Sequence, residues 1–97
     1  MLSLKGKVAF ITGAGSIGAG WGNGKAATVL LARQGAQVFG TDLNAEAVEV
    51  TRAIIAREGG DCTTQVCDMT NSDSVKAAVD TCVKRYGRID ILINNVG

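Results

Sequence analysis

Apolar and polar positions along this chain switch between two periods. Lys7–Thr12, Gln37–Asp42, Cys62–Asp68 and Ile89–Asn94 are short runs rich in β-branched and apolar residues, and they predict four strands. Between them the apolar positions recur at helical spacing. The third interval is the clearest: Val75, Ala78, Val79, Cys82, Val83 and Tyr86 fall on one stripe, with Asn71 or Ser72 as N-cap and Gly87 as stop. The second runs from an Asn44 cap through Ala47, Thr51, Ile54 and Ile55 to Gly59, and the first spans about Lys25 to Gln34 and stops at Gly35. No linker or low-complexity segment interrupts the alternation.

The order β-α-β-α-β-α-β predicts an α/β fold, a parallel sheet with right-handed crossovers and helices on both faces. The expected strand order is 3-2-1-4, half of a doubly wound sheet. Its switch point lies between strands 1 and 4, where ligands bind beyond the carboxyl ends.

The loops at that edge carry the candidate chemistry. Gly13 to Gly24, twelve residues, contain six glycines directly after the apolar run Val8-Ala9-Phe10-Ile11-Thr12. Each glycine costs a regular element about 0.5–1 kcal/mol relative to alanine, so such density implies a close backbone approach. Gly13-Ala14-Gly15-Ser16-Ile17-Gly18 reads G-x-G-x-x-G, a turn whose bare N–H groups suit a pyrophosphate. Asp42 ends the second strand, 24 residues after Gly18, near the spacing of a ribose-binding acid. A carboxylate there accepts hydrogen bonds from both ribose hydroxyls and repels a 2′-phosphate. Leu43 offers no guanidinium to offset that repulsion, which favours NAD over NADP. The competing reading makes Asp42 a cap for the second helix, although Asn44 is better placed for that. Asp68-Met69 follow the third strand, where a carboxylate can take the adenine amino group or simply form the turn before the third helix. Asn94-Asn95 bring paired amide donors and acceptors to the switch point.

Composition narrows the field further. The 97 residues suit one domain; 46% are apolar, 20% charged, and the net charge is +1. No Lys/Arg cluster offers a surface for nucleic acid or anionic membrane. No apolar run approaches the ~20 residues of a membrane span, and no signal-peptide h-region precedes Gly13, so a cytoplasmic protein is expected. Histidine is absent, which removes His-based triads and most zinc sites. Cys62, Cys67 and Cys82 form no C-x-x-C pair and read as buried small hydrophobes, so no metal is expected.

Together these residues resemble the short-chain dehydrogenase/reductase family, whose half-sheet is Rossmann-like. The resemblance rests on Thr12-Gly13 opening the glycine loop, Asp42, Asp68, the approach Arg88-Ile89-Asp90-Ile91-Leu92, and Asn94-Asn95-Val96-Gly97, which is similar to the family's Asn-Asn-Ala-Gly. It covers the whole chain. It implies that Gly13, Ser16 and Ile17 line the pyrophosphate and nicotinamide side. Asp42-Leu43 would hold the adenosine ribose, Asp68-Met69 the adenine, and Asn95 the nicotinamide-side ribose. The implied activity is NAD-dependent hydride transfer between an alcohol and a carbonyl, on a small-molecule substrate, in a homo-oligomer.

Two departures qualify it. The family's compact Thr-Gly-x-x-x-Gly-x-Gly would place glycines at 17 and 19, yet Ile17 and Ala19 stand there. Gly22-Asn23-Gly24, followed by Lys25-Ala26-Ala27, joins the first helix in the family's register, so the loop holds about five extra residues, including Trp21, which covers the loop or stacks on the cofactor. A similar lengthening with a Ser-Ile pair marks the family's enoyl reductase branch. The second departure is that the family's Ser and Tyr-x-x-x-Lys lie beyond the Asn-Asn-x-Gly strand. The only tyrosine, Tyr86, has Asp90 four residues on and lies on the apolar stripe. No catalytic residue is therefore expected here, and the chain reads as the cofactor-binding portion of a longer enzyme. A freestanding dinucleotide-binding module and an S-adenosylmethionine-dependent methyltransferase are the alternatives. Asn94-Asn95-Val96-Gly97 fits the methyltransferase poorly.

Overall fold

Alternation within the first strand assigns the two faces of the sheet. In the computed structural model, which describes residues 3–15 and 23–94, β1 (Val8–Thr12) is buried along its whole length. Successive side chains of a strand point to opposite faces. Val8 and Phe10 accordingly join one apolar cluster, and Ala9 and Ile11 the other. The remaining elements are α1 (Asn23–Arg33), β2 (Gln37–Asp42), α2 (Ala45–Arg57), β3 (Asp61–Val66), α3 (Ser72–Tyr86) and β4 (Ile91–Asn94). The strands pair in parallel in the order β3-β2-β1-β4, the order expected of half a doubly wound sheet.

Helices α1 and α2 share one face. Val29, Val48 and Ile55 pack there on Ala9, Ile11 and Val38, with Ile91 and Ile93 at the margin. Helix α3 covers the other, where Ala78 and Cys82 meet Val8, Phe10 and Phe39. Phe10 and Phe39, paired across β1 and β2, stack with ring centroids 5.5 Å apart. Each fully buried side chain of this size contributes about 1.5–3 kcal/mol by leaving water.

Helix ends follow the capping chemistry legible in the chain. The Asn44 side chain accepts from the Ala47 N–H, and Asn71 from the Asp73 and Ser74 N–H groups. Gly87 ends α3 in the left-handed conformation. Two strands are shorter than their apolar runs. The run from Ile89 pairs regularly only from Ile91, because the Asp90 carboxylate accepts the Val8 N–H at 2.8 Å where a backbone carbonyl would serve in a ladder. The run to Asp68 ends its ladder at Val66: Cys67 N–H still reaches the Asp42 carbonyl, but beyond Asp42 the neighbouring chain turns into α2. Among the described residues, no helix is long and apolar enough to cross a membrane.

Candidate functional site

Parallel strands place all their carboxyl ends on one edge, and the helices that follow begin there. Along this edge lie, in spatial order, Asp68 beyond β3, Asp42 at the end of β2, Gly13 after β1, and Asn94 at the end of β4. Strand spacing of about 4.8 Å makes the row roughly 14 Å long. The helix N-termini add partial positive charge to the same edge.

After β1 the chain turns at Gly13, whose φ of +63° belongs to the left-handed region that glycine enters most readily. The Ala14 N–H then donates to the Thr41 carbonyl at 2.9 Å. Gly15 sits directly on the start of α2. A Cβ there would lie 2.7 Å from the Ala47 Cβ and 2.9 Å from the Val48 nitrogen, so only glycine lets the loop rest this low. Two side chains hold it: the Thr51 hydroxyl donates to the Ala14 carbonyl at 3.0 Å, and Asp42 Oδ2 accepts the Gly15 N–H at 2.9 Å.

Asp42 is half-buried, and its second oxygen accepts the Asn44 N–H at 2.9 Å. Capping of α2 falls to Asn44, whose side-chain oxygen takes the Ala47 N–H at 3.0 Å. Among the described residues, each Asp42 oxygen accepts one backbone N–H. An ionised carboxylate offers about four acceptor positions, and these two N–H groups take two of them. Leu43 beside it is 68% exposed, an apolar side chain standing at the edge in water.

Asp68 is engaged locally. Its Oδ1 accepts the Thr70 N–H at 2.9 Å and the Thr70 hydroxyl at 2.6 Å, and these bonds hold the carboxyl below the usual carboxylate range. Its N–H donates to Ser74 Oγ, and its carbonyl accepts the Asn71 N–H. This is turn chemistry feeding α3, at a position that still borders the edge. Met69 packs against the α3-side cluster.

At the switch point the Thr12 hydroxyl donates to Asn94 Oδ1 at 3.0 Å, linking the ends of β1 and β4. Ser16, Ile17, Trp21 and Asn95 lie outside the described residues, as does the stretch read as a lengthened loop. Helix α1 runs Asn23–Arg33, starting two residues before the Lys25 expected from the sequence, so Asn23 and Gly24 belong to its first turn.

Tyr86 lies elsewhere. It packs against the α3-side cluster, and its hydroxyl donates to Asp61 Oδ1 at 3.0 Å and meets Thr63 Oγ1 at 2.8 Å. Asp61 begins β3, so this tyrosine sits at the amino edge of the sheet, opposite the candidate site. Burial pushes its hydroxyl upward in pKa. All three cysteines are free thiols. Cys67 and Cys82 are buried in the α3-side cluster, and burial pushes Cys62 up to about 12.

Sequence reasoning missed Thr51 and Gly40. Thr51 reads as one more position on the inward stripe of its helix, yet its fully buried hydroxyl serves the glycine loop. Gly40 interrupts an apolar strand, a signal of close backbone approach; a Cβ there would lie 2.9 Å from that of Ala14.

A glycine-built turn beside a half-buried carboxylate is a donor and acceptor set suited to a phosphate and a neighbouring diol. A family model described as short chain dehydrogenase matches residues 7–97, and the chain belongs to that family. It is 40% identical over 98 residues to the 3-oxoacyl-[acyl-carrier-protein] reductase FabG of Thermotoga maritima, covering 99% of this chain and 37% of that protein. It is 38% identical over 96 residues to the 7alpha-hydroxysteroid dehydrogenase of Escherichia coli K12, covering 99% of this chain and 36% of that enzyme. Among solved structures, a 7 alpha-hydroxysteroid dehydrogenase complexed with NADH and 7-oxo glycochenodeoxycholic acid superposes with a TM-score of 0.91. That match has 38% identity and covers 99% of this chain and 36% of the other. A metagenomic short-chain oxidoreductase in complex with NADP superposes with a TM-score of 0.87 at 32% identity, covering 96% of this chain and 40% of the other. The chain thus spans a little over one third of the length of these relatives.

Proposed function

We propose that this chain forms the dinucleotide-binding portion of an NAD-dependent oxidoreductase that moves hydride between nicotinamide and an alcohol or carbonyl substrate. The observation that carries the reading is Asp42: a half-buried carboxylate at the carboxyl end of β2, bonded to the glycine loop and followed by exposed Leu43. A ribose diol fits the acceptor positions left on that carboxylate. A 2′-phosphate would meet its negative charge without a cation supplied by the next residue.

On this reading Gly13, Ser16 and Ile17 face the pyrophosphate and nicotinamide side, with Asp42 and Leu43 at the adenosine ribose. Asp68 and Met69 border the adenine, and Asn95 serves the nicotinamide-side ribose. Bound nicotinamide supplies or accepts the hydride. The accompanying proton is assigned to a Tyr–Lys pair in a part of the polypeptide outside these residues, since Tyr86 is engaged at the opposite edge. A small-molecule substrate and a homo-oligomer, both from the family resemblance, and the cytoplasmic location expected from the sequence complete the proposal.

Calorimetric titration of the full-length polypeptide with NADH, NADPH and S-adenosylmethionine tests this. Tightest binding of NADH is the expected result. Tighter binding of NADPH, or binding of S-adenosylmethionine alone, would overturn it.

A further inference from the structure

The Ala14–Gly15 peptide is held at both of its poles. Its carbonyl accepts the Thr51 hydroxyl at 3.0 Å, and its N–H donates to Asp42 Oδ2 at 2.9 Å. The preceding amide, that of Ala14, is bonded to the Thr41 carbonyl. A peptide unit is planar, so its remaining freedom is rotation about the line between its Cα atoms. Bonds at both poles remove that freedom. Thr51 reaches this peptide from the interior of α2, 37 residues away in sequence, and is fully buried.

A threonine inside a helix ordinarily turns its hydroxyl back to the carbonyl four residues earlier. Here that contact, to Ala47, is the longer one at 3.4 Å, and the bond across to the loop is shorter. The contact also lies where the loop has no side-chain padding, because Gly15 rests directly on Ala47 and Val48. Loss of the hydroxyl would leave a buried carbonyl unpaired, which favours a turned peptide. Turning it would swing the Gly15 N–H away from Asp42, so the acid would lose a bond that orients it.

We propose that Thr51 is a positioning residue for the dinucleotide: through the Ala14–Gly15 peptide it sets both the glycine turn and the direction of the Asp42 carboxylate. The inference rests on the dinucleotide reading above and assigns a role to a helix residue outside the glycine motif. Thr51 does not touch the cofactor. Its effect reaches the ribose through a chain of hydrogen bonds: hydroxyl to carbonyl, then N–H to carboxylate.

The test compares Thr51→Val, which is nearly isosteric and lacks the donor, with Thr51→Ser, which keeps it, both in the full-length polypeptide. Affinity for NADH is measured by fluorescence titration, and steady-state constants are measured where turnover is found. The expected result is that Thr51→Val raises the Kd and KM for the dinucleotide about tenfold. KM for the organic substrate should stay unchanged, and Thr51→Ser should recover most of the loss. Amide exchange at Gly15 should be faster in the Val chain than in the Ser chain. Should Thr51→Val fail to fold, Thr51→Cys, a weak donor, takes its place, and it should bind NADH less tightly than Thr51→Ser. Equal NADH affinity in the donor and non-donor chains would overturn the role of Thr51 alone. A wild-type chain that bound no dinucleotide would overturn the functional reading beneath it.

Discussion

Asp42 closes β2 and Asp68 lies two residues beyond β3, so two aspartates occupy neighbouring places on one edge of one sheet. Their surroundings differ. Among the described residues, Asp42 reaches across 27 residues to the Gly15 N–H, whereas the Asp68 side chain bonds to Thr70, two residues away. The first ties a distant loop to the sheet; the second shapes its own turn. Position at the carboxyl edge is therefore common to many residues, and the long-range bond singles out the one that organises the candidate site.

Removing the Asp42 carboxylate tests the contrast most strongly. Asp42→Ala should weaken NADH binding by about 1.5–3 kcal/mol, the scale of hydrogen bonds to a charged group, and should narrow the gap to NADPH. Calorimetry with both cofactors checks this, and an unchanged affinity for both would detach Asp42 from the ribose. Next comes the seat of the loop. Gly15→Ala would force a Cβ to within 2.7 Å of the Ala47 Cβ and 2.9 Å of backbone. It should cost about 1–3 kcal/mol of stability, as overpacking does. Urea unfolding of the full-length protein measures it, and wild-type stability would mean that the loop does not rest on α2.

Asp68→Ala should change NADH affinity by less than about threefold, well below the effect at Asp42. An equal or larger loss would reverse the ranking of the two acids. The smallest effect concerns a third aspartate. Hydrogen bonds from the Val8 N–H and from Arg88 hold Asp90 below the ordinary carboxylate range. A lowered folded-state pKa contributes stability that is present above the unfolded value, about 3.9, and lost as pH falls through the folded one. Asp90→Asn should therefore lower Tm slightly at pH 7, and the difference should shrink below about pH 4. A difference that grew on acidification would contradict this linkage.

Much of the fold was legible because it rests on local chemistry. Helical spacing of Val75, Ala78, Val79 and Cys82, caps at Asn44 and Asn71, and the stop at Gly87 all act within a few residues. The strand order followed from reading the alternating elements as half of a doubly wound sheet. What escaped the sequence is long-range. Thr51 sits on an inward stripe and gives no periodic signal that its hydroxyl faces a loop 37 residues away. Asp90 reads as part of a strand, yet its side chain replaces a ladder carbonyl for Val8. Such bonds depend on which backbone groups the packed chain leaves without partners, and that is decided only once the faces meet.

The most direct measurement is a crystal structure of the full-length protein with NADH bound. The account predicts that the adenosine ribose hydroxyls lie about 2.5–3.0 Å from the Asp42 carboxylate oxygens. The Gly15 and Asn44 N–H groups should keep their bonds to the same carboxylate, and Asp68 should remain folded onto Thr70. A ribose seated away from Asp42, or an Asp42 side chain that had to leave Gly15 to reach it, would contradict the claim that one acid both braces the glycine loop and receives the cofactor.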